Sequence, residues 1–196
     1  MIMKFEYAPG ATPLNQDEID ELIPLHITNH NQLNEWEAVN ILKAEDWLLT
    51  TRYSNKFLTI DFVKLLHKKM FEDTWKWAGL FRKTEKNIGV TPSIISAELK
   101  ILLDDVAYQL INNSYLIDEI AYRFHHRLVA IHPFPNGNGR HARLMTDLFL
   151  IQTGQSRFTW GKQKLETEGP IRKQYINALR NADRQNYTAL AEFVRS

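Results

Sequence analysis

Residues 118–151 read DEIAYRFHHRLVAI, then HPFPNGNG, then RHARLMTDLFLI, and this stretch decides the fold. Ile120, Phe124, Leu128 and Ile131 recur at three- and four-residue steps, the spacing of one helix face. The helix has to stop at His132, because the residue before a proline is pushed out of the helical region and Pro133 follows. A short loop ends in Asn136-Gly137-Asn138-Gly139, and a second helix is expected from Arg140 to Ile151, ending near Gly154.

The same reading extends outward. Helices are expected at Asp17–Ile23, closed by Pro24, and from Asn34, as N-cap, to about Thr50, with Trp36, Val39, Ile41, Ala44, Trp47 and Leu48 as apolar positions. Further helices are expected at Thr59–Phe71, from Ser93 or Ser96 through Leu110, at Pro170–Ala182 and at Tyr187–Val194. Residues 74–93 are first aromatic, then charged, then contain Gly and Pro, which reads as a loop or small hairpin. Residues 1–16 read as irregular, with turn signals at Pro9-Gly10 and Thr12-Pro13. Strand-like alternation is otherwise scarce, so the fold class is mainly α: a helical bundle with a small β-hairpin flap.

Composition narrows the function. Hydrophobic residues make up 44% of 196, enough for a core. With 24 basic against 23 acidic side chains the net charge is +1, so nucleic acid is a poor candidate partner. The absence of cysteine excludes disulfides, thiolate metal sites and a thiol nucleophile. No signal peptide and no membrane-length apolar run is found, so a cytoplasmic protein is expected.

The chemistry concentrates in 132–143. Gly137 and Gly139 let backbone N–H groups converge on one point as an anion nest, and the next helix adds its positive N-terminal end. Arg140 and Arg143 fall on one side of its first turn. Two guanidiniums, a nest and a helix dipole describe a di- or triphosphate site. The Walker pattern GxxxxGK[ST] is absent. His132, at the other end of the loop, can take a proton from a hydroxyl arriving beside a bound phosphate. Phe134 is expected to point into the core and pin the loop, and Trp75 and Trp77 to pack. Of His125 and His126, one is expected in the core and one in solvent, and His141 is expected to be exposed.

At these residues the chain resembles the Fic family, whose motif reads HxFx[D/E]GNGRxxR; His132, Phe134, Gly137, Asn138, Gly139, Arg140 and Arg143 match it. With TPL, LNEWEAVNI, LHKKMF, WKWAGLFR, RKQYINAL and NADRQNYTALAEF, nearly the whole chain is similar to the group called mobile mystery protein B. The resemblance implies an N-terminal extension (residues 1–50) carrying an inhibitory helix, and a Fic domain (51–196). It implies a protein adenylyltransferase that moves AMP from ATP to a Ser, Thr or Tyr hydroxyl of a target protein, with His132 as base. The backbone at Gly137, Asn138 and Gly139, with Arg140 and Arg143, would hold the phosphates, and Tyr175 and Asp183 would approach the adenine. The target would dock by strand addition on a flap at Asn87, Ile88, Gly89 and Val90; a homodimer stays open.

One position departs from the pattern: Asn136 stands where the family carries the Asp or Glu that holds Mg²⁺. A neutral amide should weaken the metal. Two alternatives therefore stay open, a nucleotide-binding regulatory module with little catalysis and a transferase with another phosphate-linked donor. In the inhibitory pattern [S/T]xxxE[G/N], the Glu pairs with the second motif arginine. Glu37 is the candidate here and Glu35 the second choice, with Arg143 as the expected partner; both could equally be ordinary first-turn acids. The TxxxE run at Thr188–Glu192 reads as part of a closing helix.

Overall fold

A computed structural model describes residues 12–50, 57–162, 165 and 168–196. The Pro9-Gly10 turn signal and the start of the expected second domain at residue 51 lie outside the described residues. The described chain is helical: α1 Gln16–Ile19, α2 His30–Thr50, α3 Ile60–Phe71, α4 Ile95–Ile111, α5 Ile117–Ile131, α6 Asn138–Gln152, α7 Pro170–Ala182 and α8 Thr188–Val194, with single 3₁₀ turns at Pro92–Ile94 and Trp160–Lys162. The main pairings are α5 with α6, α2 with α3, α7 with α8 and α4 with α5.

The central pair follows from its sequence. The buried face of α5 carries Ile120, Phe124, Leu128 and Ile131, and α6 is buried almost throughout, from His141 to Leu150 apart from half-buried Arg143. α5 stops at Ile131, and His132 turns the chain with φ 54°, a left-handed conformation. Phe134 is fully buried, as expected, and Trp75 and Trp77 stack in the core with ring centroids 4.9 Å apart.

Helix α2 differs from expectation in two ways. It begins a turn earlier, where Asn29 rather than Asn34 caps it by accepting from Gln32 N–H at 3.0 Å. Its buried stripe is Leu33, Glu37, Asn40, Ala44 and Leu48, leaving Trp36 and Val39 exposed. The rotation places both polar members against hydrogen-bond partners. Asn40 Oδ1 accepts from Asp73 N–H at 3.1 Å and Thr74 Oγ1 at 3.3 Å, and Glu37 is bonded as described below. A polar group that finds partners is no penalty to bury, so apolar count alone does not select the inward face.

Among the described residues there is no strand, only an isolated bridge between Leu22 and Trp75, so the hairpin expected within 74–93 is not formed as a ladder. Its ends are tied by a side chain instead. The buried Arg82 guanidinium donates to the carbonyls of Thr84 (2.9 Å) and Val90, and its Nε donates to His132 O at 2.6 Å. One planar donor fork thereby does the work of cross-strand bonds. No helix among the described residues is long and apolar enough to cross a membrane.

Candidate active site

The loop from His132 to Gly137 is held from several sides. Asn138, at the start of α6, accepts from Phe134 N–H at 2.9 Å and donates to Phe134 O at 2.8 Å, so its buried amide closes the loop on itself. His67 of α3 is fully buried and stacks on Phe134 with ring centroids 3.7 Å apart. Its Nδ1 accepts from Gly79 N–H at 3.0 Å, which leaves the proton on Nε2 to donate to Asn136 O at 3.1 Å. Burial holds this imidazole well below its usual pKa, so it stays neutral in that role. Gly137 has φ 77°, and a Cβ there would lie 2.5 Å from Phe71 Cζ, so both conformation and space demand glycine.

No side chain caps the N-terminus of α6, so its first-turn N–H groups and the positive end of its dipole are available to an anion. Gly137, Asn138, Gly139, Arg140 and Arg143 line one cavity with His132 and Tyr175. The cavity measures about 180 Å³, smaller than the roughly 300–1,000 Å³ usual for ligand sites. Two of the chain's own side chains engage groups that line it.

The first is Glu37. It is 3% exposed, its Oε1 accepts from Trp75 Nε1 at 2.7 Å and its Oε2 accepts from Arg140 at 2.7 Å. The ion pair is therefore made with Arg140, not with the expected Arg143. Arg140 leans toward α2 and α3, lying 5.0 Å over the Phe71 ring, whereas Arg143 is felt electrostatically by His125 and Asp147 on the other side. Glu35 is exposed and is not brought to the site.

The second is Thr12, whose Oγ1 lies 3.0 Å from His132 Nε2. The opposite ring nitrogen, Nδ1, faces Val129 O at 3.3 Å, and a carbonyl can only accept. The proton thus sits on Nδ1, Nε2 presents its lone pair, and the Thr12 hydroxyl donates to it. Burial pulls the His132 pKa down to about 4; the Val129 carbonyl opposes this, while Arg82 and Lys86 add to it. The imidazole is neutral at pH 7, with its Nε2 lone pair accepting from the Thr12 hydroxyl.

Asn136, the position expected to hold Mg²⁺, has both ends of its amide engaged within the chain. Its Oδ1 accepts from Gly137 N–H at 2.6 Å and its Nδ2 donates to Thr12 O at 3.3 Å. Among the described residues no group of three or more His, Asp or Glu converges.

The remaining expected residues divide. Tyr175 lines the cavity and bonds His125 Nε2 at 2.8 Å. Asp183 does not line it; it is exposed and bonds His126 Nε2 at 2.8 Å. Both His125 and His126 are buried, as is His141, whose Nε2 donates to Val63 O at 2.9 Å. The solvent positions expected for two of them fail because each ring has a partner across a helix interface. Asn87, Ile88 and Gly89 are exposed beside the site, with Ile88 on the cavity rim, and Val90 is half-buried. Arg82, His67 and Thr12 are the site residues that sequence reading missed. Their contacts reach across 50, 69 and 120 positions, and none belongs to a local pattern.

Residues 57–150 match the Fic/DOC family. The chain is similar to protein adenylyltransferase fic-1 of Caenorhabditis elegans, 31% identical over 104 residues, which cover 50% of this chain and 20% of that protein. It is also similar to protein adenylyltransferase VbhT of Bartonella schoenbuchensis, 31% identical over 100 residues, covering 47% and 21%. It thus spans about a fifth of the length of these two relatives. Among solved structures, the N-terminal Fic domain of a VirB-translocated Bep effector from Bartonella quintana superposes with TM-score 0.71 at 19% identity, covering 87% of this chain and 84% of that one. BepC from Bartonella tribocorum, solved with bound AMPPNP, gives 0.69 at 18%, covering 86% and 87%. At such identities the likeness shows the fold.

Proposed function

Because the chain carries a Fic/DOC-family domain at residues 57–150, we propose that it is a protein adenylyltransferase, with ATP as donor and a hydroxyl of a target protein as acceptor. The observation that carries this reading is the neutral His132, its Nε2 lone pair already on a hydroxyl at 3.0 Å, beside the uncapped N-terminus of α6. In the step, Nε2 takes the proton of the acceptor hydroxyl and its oxygen attacks the α-phosphorus. The bond from that phosphorus to the pyrophosphate oxygen breaks, and pyrophosphate leaves with the electron pair. Arg140, Arg143 and the first-turn N–H groups of α6 balance the phosphate charge. The relatives named as adenylyltransferases, and the bound AMPPNP of one structural neighbour, support ATP as the donor.

Glu37 makes the resting site self-inhibited, because a phosphate must displace its carboxylate from Arg140. The target docks at 86–90, where Asn87, Ile88 and Gly89 are exposed beside His132, and the protein works in the cytoplasm. The engaged, neutral Asn136 favours a second reading, a nucleotide-binding regulatory module with little turnover.

Incubation of the chain with α-labelled ATP and Mg²⁺ or Mn²⁺ separates the readings. Transfer should be lost in His132→Ala and raised in Glu37→Gly. ATP binding with no transfer in either wild type or Glu37→Gly would select the regulatory module. Transfer from another nucleotide alone would reassign the donor.

A further inference from the structure

Thr12 does more than fill space. The residue is 8% exposed, and its hydroxyl is within hydrogen-bond reach of the His132 lone pair, the position an acceptor must take for its proton to be removed. The segment that brings it there is tied to the elements where a target would dock. Lys86, in the flap, donates to Pro13 O at 3.0 Å and forms a buried ion pair with Glu18 at 2.5 Å. Asn136 donates to Thr12 O at 3.3 Å, Trp77 Nε1 donates to Glu18 O at 3.1 Å, and Leu14 is buried. Residues 12–18 therefore run past the catalytic loop held by both backbone and side-chain contacts, with one hydroxyl delivered to the base.

We propose that Thr12 is an intramolecular acceptor: the chain modifies its own N-terminal segment by transfer of a nucleoside monophosphate to Thr12 Oγ1. The proposal rests on the adenylyltransferase reading for its donor, ATP. His132 Nε2 removes the Thr12 hydroxyl proton, a bond forms between Oγ1 and the α-phosphorus, and the bond from that phosphorus to the pyrophosphate oxygen breaks. Pyrophosphate leaves with the electron pair, and the imidazolium returns its proton to solvent. The acceptor is a threonine ester of AMP. Because the hydroxyl is already on the base, the reaction within one chain is first-order and needs no encounter with a second copy.

The test uses the full chain, wild type and Glu37→Gly, incubated with ATP and Mn²⁺, then analysed by intact mass and by fragmentation of the peptide containing Thr12. The expected result is one AMP increment on Thr12, lost from that position in Thr12→Ala, retained in Thr12→Ser, and with a fractional rate unchanged across a wide dilution series. AMP on other residues with Thr12 unmodified would overturn this proposal and leave the adenylyltransferase reading standing. A fractional rate that falls in proportion to protein concentration would also overturn it, since the transfer would then run between chains. No increment on any residue of either protein, with ATP bound as shown by titration, would overturn both.

Discussion

Replacing Glu37 by Gln should weaken the fold and tighten nucleotide binding at the same time. The amide keeps the volume, and its oxygen can still accept from Trp75 Nε1, but the charge opposite Arg140 is gone. The Glu37 side chain is 4% exposed and that of Arg140 16%, so solvent screens the 2.7 Å pair little. A hydrogen bond to a charged group contributes about 1.5–3 kcal/mol. Losing it should cost the folded state roughly that amount, or about 3–12 °C in Tm for a chain of this size. The same energy no longer has to be overcome when a phosphate takes Arg140, so ATP should bind roughly 10- to 100-fold more tightly. The assay is a pair of measurements on wild type and Glu37→Gln: calorimetric titration with ATP, and thermal melts with and without it. The variant should melt lower alone and gain more from ATP than the wild type does. Unchanged or weaker ATP affinity in a folded Glu37→Gln protein would refute the idea that the carboxylate competes with phosphate.

Three further outcomes follow from the site and its supports. Burial pulls the pKa of His132 down to about 4 and those of His125 and His141 to about 3, while the unfolded chain titrates near 6.5, so the unfolded state binds more protons below that value. Their stabilising effect is present above pH 6.5 and is lost as pH falls toward 4, at up to about 1.4 kcal/mol per pH unit for each ring; urea melts that show no loss between pH 6.5 and 4.5 would contradict it. Gly137→Ala should lose about 2–4 kcal/mol in chemical denaturation, from a Cβ 2.5 Å from Phe71 together with a left-handed backbone, and should lose ATP binding in the fraction that stays folded. Asn136→Asp should lower the Mg²⁺ concentration needed for half-maximal transfer, since a carboxylate adds charge while still accepting from Gly137 N–H; an unchanged metal dependence would show that the ion does not approach this position.

What the sequence made legible was what lies close together along the chain. The glycines, the arginines and His132 span twelve positions, so spacing alone places them on one loop and one helix turn, and the cavity brings them together. Helix limits were readable to within a residue or two where a proline or an apolar period marks them, as at α5 and α7. They failed at the start of α2, where the Asn29 cap competes with Asn34, five residues on. The polar supports were invisible for a different reason. In LHKKMF, His67 reads as one of three polar residues on a helix, yet it is fully buried, because Gly79 and Asn136 complete both of its nitrogens. Arg82 sits in a charged run and looks solvated until its carbonyl partners assemble. Periodicity carries no information about which polar side chain will find its bonds at a distance.

The strap at residues 12–15 has a thermodynamic consequence distinct from its chemistry. Once α1 is seated, with its Asn15–Glu18 capping box and the Trp77 bond to Glu18 O, seating the strap itself means ordering those four residues. Fixing their backbone costs about 4–8 kcal/mol, against a few hydrogen bonds at about 0.5–1.5 kcal/mol each and the burial of Leu14. The two sides nearly cancel, so the strap detaches by local opening at a small fraction of the cost of global unfolding, and the helices behind it stay intact. The slot beside His132 is therefore shared in time: occupied by the chain's own threonine in the ground state, and vacated often enough for an outside hydroxyl to compete for the same base.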